Sequence, residues 1–87
     1  MEIKIQGFYG LTEKDKEQIK IVESNINYYN SGNTEDNQLS AVLVVDGGNK
    51  INIYRNKRLL GFALEINQAV SFMHGLLVEF NYRTGEK

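Results

Sequence analysis

Apolar and polar positions alternate over residues 2–8. Ile3 and Ile5 fall on one side, Glu2, Lys4 and Gln6 on the other, a period of two that predicts a half-buried strand. Gly7 and Gly10 bracket Phe8 and Tyr9 and predict a turn. The period then changes. Ile19, Val22, Ile26 and Tyr29 recur at helical spacing, Thr12 can cap the first turn with Asp15 three residues on, and Ser31-Gly32 ends the stripe. The expectation is a helix over 12–30, with Gly32 accepting the left-handed turn that follows.

Residues 33–38 are polar and aperiodic and predict a loop. Leu39 to Val45 is a nearly continuous apolar run, which predicts a strand covered on much of both faces. Asp46-Gly47-Gly48-Asn49 is a strong turn signal, and Ile51 and Ile53 alternating with Asn52 and Tyr54 give the second arm of a hairpin. Arg55-Asn56-Lys57-Arg58 makes another turn, leading to a third strand over 59–64 with Gly61 at a bulge. Ile66, Ala69, Val70, Met73, Leu76, Leu77 and Phe80 share one face of a helix that ends before Thr84-Gly85. The order β-α-β-β-β-α predicts an α+β fold, an antiparallel sheet with two helices packed on it, in a single domain 1–87.

Composition agrees with that size. Eighty-seven residues, 41% hydrophobic and 24% charged, suit one small globular domain. The absence of Cys removes disulfides, thiolate nucleophiles and thiolate metal sites together. A charged-then-apolar leader and an apolar run near membrane-spanning length are both missing, so a cytoplasmic location is expected.

Candidate chemistry is thin. His74, the single histidine, lies one turn from Ser71, but a mid-helix serine has its amide locked in the helix and makes a poor oxyanion donor. The loop Asn33-Thr34-Glu35-Asp36-Asn37 offers oxygens without the spacing of a calcium loop. Gly47-Gly48 is followed by a strand where a phosphate cradle needs a helix. Glu13, Asp15 and Glu17 belong to a charged helix surface. No catalytic set, metal site or cofactor is expected, and the protein is read as a non-enzyme.

The surface is more informative. Residues 1–37 carry four cations against seven anions, a balance of −3, and residues 38–60 carry four against one, a balance of +3. Lys50, Tyr54, Arg55, Lys57 and Arg58 form a basic hairpin with an aromatic, a pattern found in nucleic-acid binders and equally one that protects strand edges. On the outward side of the helices lie Ile21 and Tyr28, then Ser71, Gly75, Val78 and Tyr82, an uncharged line suited to a protein partner or a second copy of the chain. The carboxylates Glu13, Asp15, Glu17, Glu23, Glu35 and Asp36 could imitate spaced phosphates, although Lys14, Lys16 and Lys20 are interleaved with them.

The order of elements is similar to that of the ribosome hibernation factors, and Met1-Glu2-Ile3-Lys4-Ile5-Gln6-Gly7 resembles their opening strand. That resemblance implies rRNA binding through basic helices, and these helices carry few basic residues. Without the first strand the order resembles the double-stranded-RNA-binding domain, with Glu65-Ile66-Asn67-Gln68 standing where that family has a Lys-rich helix start. At this size it also looks like one small anti-CRISPR type that blocks a nuclease's DNA groove with acidic side chains, through Gln38-Leu39 and the Gly48-Asn49 hairpin. None of the three is matched by a diagnostic motif. The reading that results is a small non-enzymatic protein-binding module, an inhibitor or regulator of a host protein encoded by a phage or mobile element. The alternative is an RNA- or single-stranded-DNA-binding or ribosome-associated protein acting through the basic hairpin.

Overall fold

The computed structural model describes Ile5, residues 10–44 and residues 49–85, without the side chains of 43, 44 and 82–85. Helix α1 spans Glu13–Ser31, a single 3-10 turn covers Glu35–Asn37, and strands β1 (Leu39–Val44), β2 (Lys50–Arg55) and β3 (Arg58–Glu65) lead into helix α2 (Ile66–Gly85). The fold is α+β, two helices and a three-stranded antiparallel meander in the order β1-β2-β3. The strand expected over 2–8 lies outside the described residues apart from Ile5, as do Asp46, Gly47 and Gly48 of the first hairpin turn.

α1 begins as its sequence predicts. The Asp15 amide donates to Thr12 Oγ1 at 3.1 Å and the Thr12 amide donates to Asp15 Oδ2 at 3.2 Å, a reciprocal capping box that satisfies two otherwise orphaned donors. Its other end departs from the expectation. Gly32 has φ −104°, an ordinary conformation, so left-handed freedom is not why glycine stands there. A Cβ at Gly32 would lie 2.5 Å from Phe80 Cζ, and the absent side chain is what lets α2 bring its aromatic ring against α1. The terminal carbonyls are covered by side-chain amides: Asn33 Nδ2 donates to the Tyr29 carbonyl at 2.8 Å and Gln38 Nε2 to that of Asn30 at 3.0 Å. Asn30 in turn pairs with both backbone groups of Leu39, accepting from its N–H at 2.7 Å and donating to its carbonyl at 3.0 Å. The polar loop is therefore the clasp that fixes where β1 starts.

The two helices run side by side in the same direction. Lys14, Asp15 and Gln18 of α1 border the same cleft as Ile66 and Asn67 at the start of α2, and Tyr28 and Tyr29 meet Phe80 near both C-terminal ends, with ring centroids 6.0 and 5.0 Å apart. Both pack on one face of the sheet. Ile19, Val22, Ile26 and Tyr29 of α1 join Ala69, Met73 and Phe80 of α2 in a core with Leu39, Ile51 and Ile53 from the strands, and Ile5 completes it. The Ile5 amide donates to Glu23 Oε2 at 2.6 Å and ties that residue to α1.

β3 is less regular than its neighbours. Ile51 registers with Leu64, Ile53 with Gly61 and Tyr54 with Leu59, so β3 carries extra residues on either side of Gly61. Ala63 has φ +51°, a left-handed conformation that non-glycine residues seldom adopt. Its N–H turns away from the ladder and donates to Asn52 Oδ1 at 2.7 Å. The bulge expected at Gly61 is present as two irregularities that flank it.

Candidate functional site

The helix-free face of the sheet follows from the register. Paired residues point the same way, so Ser40, Tyr54 and Leu59 form one row across the strands, and Val42 and Asn52 begin a second that Phe62 completes. Phe62 is 69% exposed, Val42 48% and Leu59 44%. At Ser40 and Val42 this overturns the expectation that the β1 run is covered on much of both faces. With α1 and α2 on the same side, Leu39 and Ala41 are packed inward while Ser40 and Val42 face solvent. No described element covers this face.

Its polar groups are held in place. Asn52 accepts from the Ala63 amide and donates through Nδ2 to the Tyr54 hydroxyl at 3.4 Å, so one side chain at the centre of β2 braces both the bulge beside Phe62 and the Tyr54 ring. Three apolar side chains thus stand around a fixed polar centre.

Of the five residues of the basic hairpin, Lys57 and Arg58 are exposed at the tip of the β2–β3 turn. Lys50 is half-buried at the far end of β2, registered opposite Glu65. Tyr54 lies on the open face. Arg55 is turned to the helix side, where its Nη2 donates to the Tyr29 hydroxyl at 2.9 Å and its guanidinium carbon sits 5.9 Å from the Tyr29 ring centroid. Its Nε is buried with no hydrogen-bond partner. By register Lys50 and Tyr54 share the open face and Arg55 and Arg58 the helix side, with Lys57 at the tip of the turn, so the structure does not gather the five residues on one face.

Among the residues read as an outward helix surface, Ile21, Tyr28 and Val78 are exposed apolar groups and Ser71 and Gly75 are also exposed. The side chain of Tyr82 lies outside the described residues. Tyr28 is tied to the neighbouring helix, its hydroxyl donating to Asn81 Oδ1 at 3.0 Å. A Cβ placed on Gly75 would meet nothing within 4 Å, so that glycine answers no packing need inside the fold.

Elsewhere the chemistry is sparse. A cleft of about 400 Å³ opens between the N-terminal ends of the helices, where Lys14 and Lys50 are balanced by Asp15 and Glu65. Ser71 and His74 are both exposed on α2. No cluster of three or more metal-ligating side chains, and no helix long and apolar enough to cross a membrane, occurs among the described residues. Sequence reasoning missed Val42, Leu59 and Phe62, although Phe62 followed by Ala63 and Leu64 carried a weak signal: an apolar triplet cannot keep all its members on one side of a strand.

No family model, curated protein or solved structure matches the chain.

Proposed function

We propose that this chain is a non-enzymatic module that binds another protein through the helix-free face of its sheet. The observation that supports it is Phe62, the most exposed large apolar side chain among the described residues, standing with Val42 and Leu59 on a face braced by Asn52. Isolated apolar groups on a surface are ordinary, but a cluster centred on an aromatic ring over a rigid sheet is the usual core of an interface. An inhibitor or regulator fits this reading best, since such a protein needs a shaped surface and no reacting group. A phage or mobile-element origin is compatible with it.

The test is capture by the immobilised chain from nuclease-treated bacterial lysate, with Phe62→Ser and Gly75→Glu variants beside the wild type. The proposal expects one protein retained by the wild type and Gly75→Glu and lost with Phe62→Ser. Phe62 is mostly outside the core, so the substitution leaves the fold intact, which the melting temperature checks. Loss with Gly75→Glu alone would assign binding to the outer helix surface that carries Val78. Material retained only without nuclease would assign the protein to nucleic acid.

A further inference from the structure

We infer that the helix-free face pairs with the same face of a second copy of the chain; the inference rests on the protein-binding reading above and names the protein that covers this face when the chain is alone. The register fixes which charges stand there. Lys50 and Glu65 are opposite one another and share the open face with Tyr54 and Leu59, one cation against one anion. Arg55 and Arg58 lie on the helix side, and Lys57 is at the tip of the turn. At the end of the sheet where Lys50 and Glu65 stand, the neighbouring Lys14 and Asp15 keep the same balance. A strand of nucleic acid needs a run of cations along its phosphates as well as rings for its bases. Phe62 and Tyr54 offer rings, but Glu65 cancels Lys50, and the described part of the face has no net charge to hold a phosphate chain. A neutral, largely apolar protein surface suits it better, and this face is itself one.

The face is also its own complement. A two-fold axis along the strands, midway between β2 and β3, lays β2 of each copy over β3 of the other. Lys50 then meets Glu65 of the second copy, Tyr54 meets Leu59, and Asn52 with Val42 beside it meets Phe62, every contact being made twice. The one salt bridge among the described residues, Lys16 to Glu13 at 3.5 Å, lies on α1, so Lys50 and Glu65 do not pair within the chain and can pair across the axis. Stacked sheets lie about 10 Å apart, a gap that a lysine and a glutamate span together. Three strands about 4.8 Å apart and about 20 Å long give a flat footprint of roughly 300 Å² per copy, against about 800 Å² in a stable interface. The dimer is therefore weak and exchanging, and it leaves the face open to competition by another protein.

The experiment is sedimentation equilibrium of the full chain at low salt, up to about 1 mM because so small an interface associates weakly. It compares the wild type with Phe62→Ser, Lys50→Glu and Glu65→Lys, each checked for folding by circular dichroism. Expected is a wild-type mass that rises with concentration toward that of two chains. Phe62→Ser abolishes the rise, and either charge reversal weakens association about tenfold, since two attractive pairs become two repulsive ones. The decisive sample mixes Lys50→Glu with Glu65→Lys. Across the same two-fold every charge again meets its opposite, so the mixture should dimerise as the wild type does, a result that does not depend on how well Phe62→Ser folds. A wild type that stays monomeric throughout would overturn the inference, and Phe62-dependent capture from lysate would then leave protein binding standing. A dimer indifferent to Phe62→Ser, or a mixture no more associated than its two components, would overturn the pairing of these faces. Oligouridine binding that is lost with Phe62→Ser, by a chain that stays monomeric, would overturn both readings.

Discussion

Asn52→Ala should destabilise the domain by more than its modest volume suggests, because the side chain holds a strained backbone in place. In the wild type Ala63 occupies a left-handed conformation at φ +51° and its amide donates to Asn52 Oδ1 at 2.7 Å. Truncation leaves that amide facing a methyl group. An orphaned buried donor costs about 1–3 kcal/mol, and because Asn52 and Ala63 are half-buried, partial access of water puts the expectation at about 1–2 kcal/mol. Asn52→Asp keeps an acceptor for Ala63 and can accept from the Tyr54 hydroxyl in place of donating to it, so it should cost less than Asn52→Ala. Ala63→Gly tests the other half of the arrangement. A left-handed alanine carries about 1–2 kcal/mol of steric cost, and glycine's greater freedom in the unfolded chain returns about 0.4–1 kcal/mol of that, leaving a net gain of about 0.5–1 kcal/mol. The assay is urea unfolding followed by circular dichroism, with ΔG compared at equal slope so that changes in the unfolded state are recognised. An Asn52→Ala variant within 0.5 kcal/mol of the wild type, or an Ala63→Gly variant less stable than it, would refute the account.

Gly75→Ala should raise stability by about 1 kcal/mol, since a mid-helix glycine with open space above it loses nothing to packing; thermal melting checks this, and an unchanged midpoint would mean the helix is frayed there. Tyr29→Phe leaves the half-buried Arg55 guanidinium without its acceptor and should cost about 1–3 kcal/mol. Adding Arg55→Met removes both partners and the orphaned Nε together, so the double variant should cost less than the sum of the singles, and additivity within about 0.5 kcal/mol would show that the pair does not act as a unit.

The helices and the meander were legible because their signals are local. A capping box, a stripe at helical spacing and turn residues between strands each act within a few positions, and the structure has α1, the three strands and α2 where those signals put them, except that α2 runs on through Thr84 and Gly85 instead of ending before them. The open face was not legible, for a reason of scale. Whether Val42 is covered depends on α2 returning to the same side of the sheet as α1, a choice made by residues far along the chain. The inward turn of Arg55 depends likewise on Tyr29, in a different element. Gly32 has the sequence signature of a left-handed helix cap, yet its neighbour is Phe80, forty-eight positions away. Asn30 at the end of α1 and Asn33 in the loop after it read as polar filler, and their role as a clasp needs both the helix end and β1 to be in place.

Two residues of the second hairpin, Lys57 and Ala63, share the same backbone penalty and are treated differently by the fold. Ala63 is held: Asn52 reaches across from β2 to take its amide, and the bulge it creates carries Phe62 out to the open face. Lys57 is held by nothing comparable, and its neighbour Arg58 is set opposite another arginine. The first is strain compensated within the domain, and it shapes a surface. The second is strain left standing at the tip of the β2–β3 turn, beyond the end of that surface. If both were incidental, glycine at either position would be neutral for binding and favourable for stability. The protein-binding reading separates them: Ala63→Gly should raise stability and loosen the presentation of Phe62, whereas Lys57→Gly should raise stability and leave that presentation unchanged.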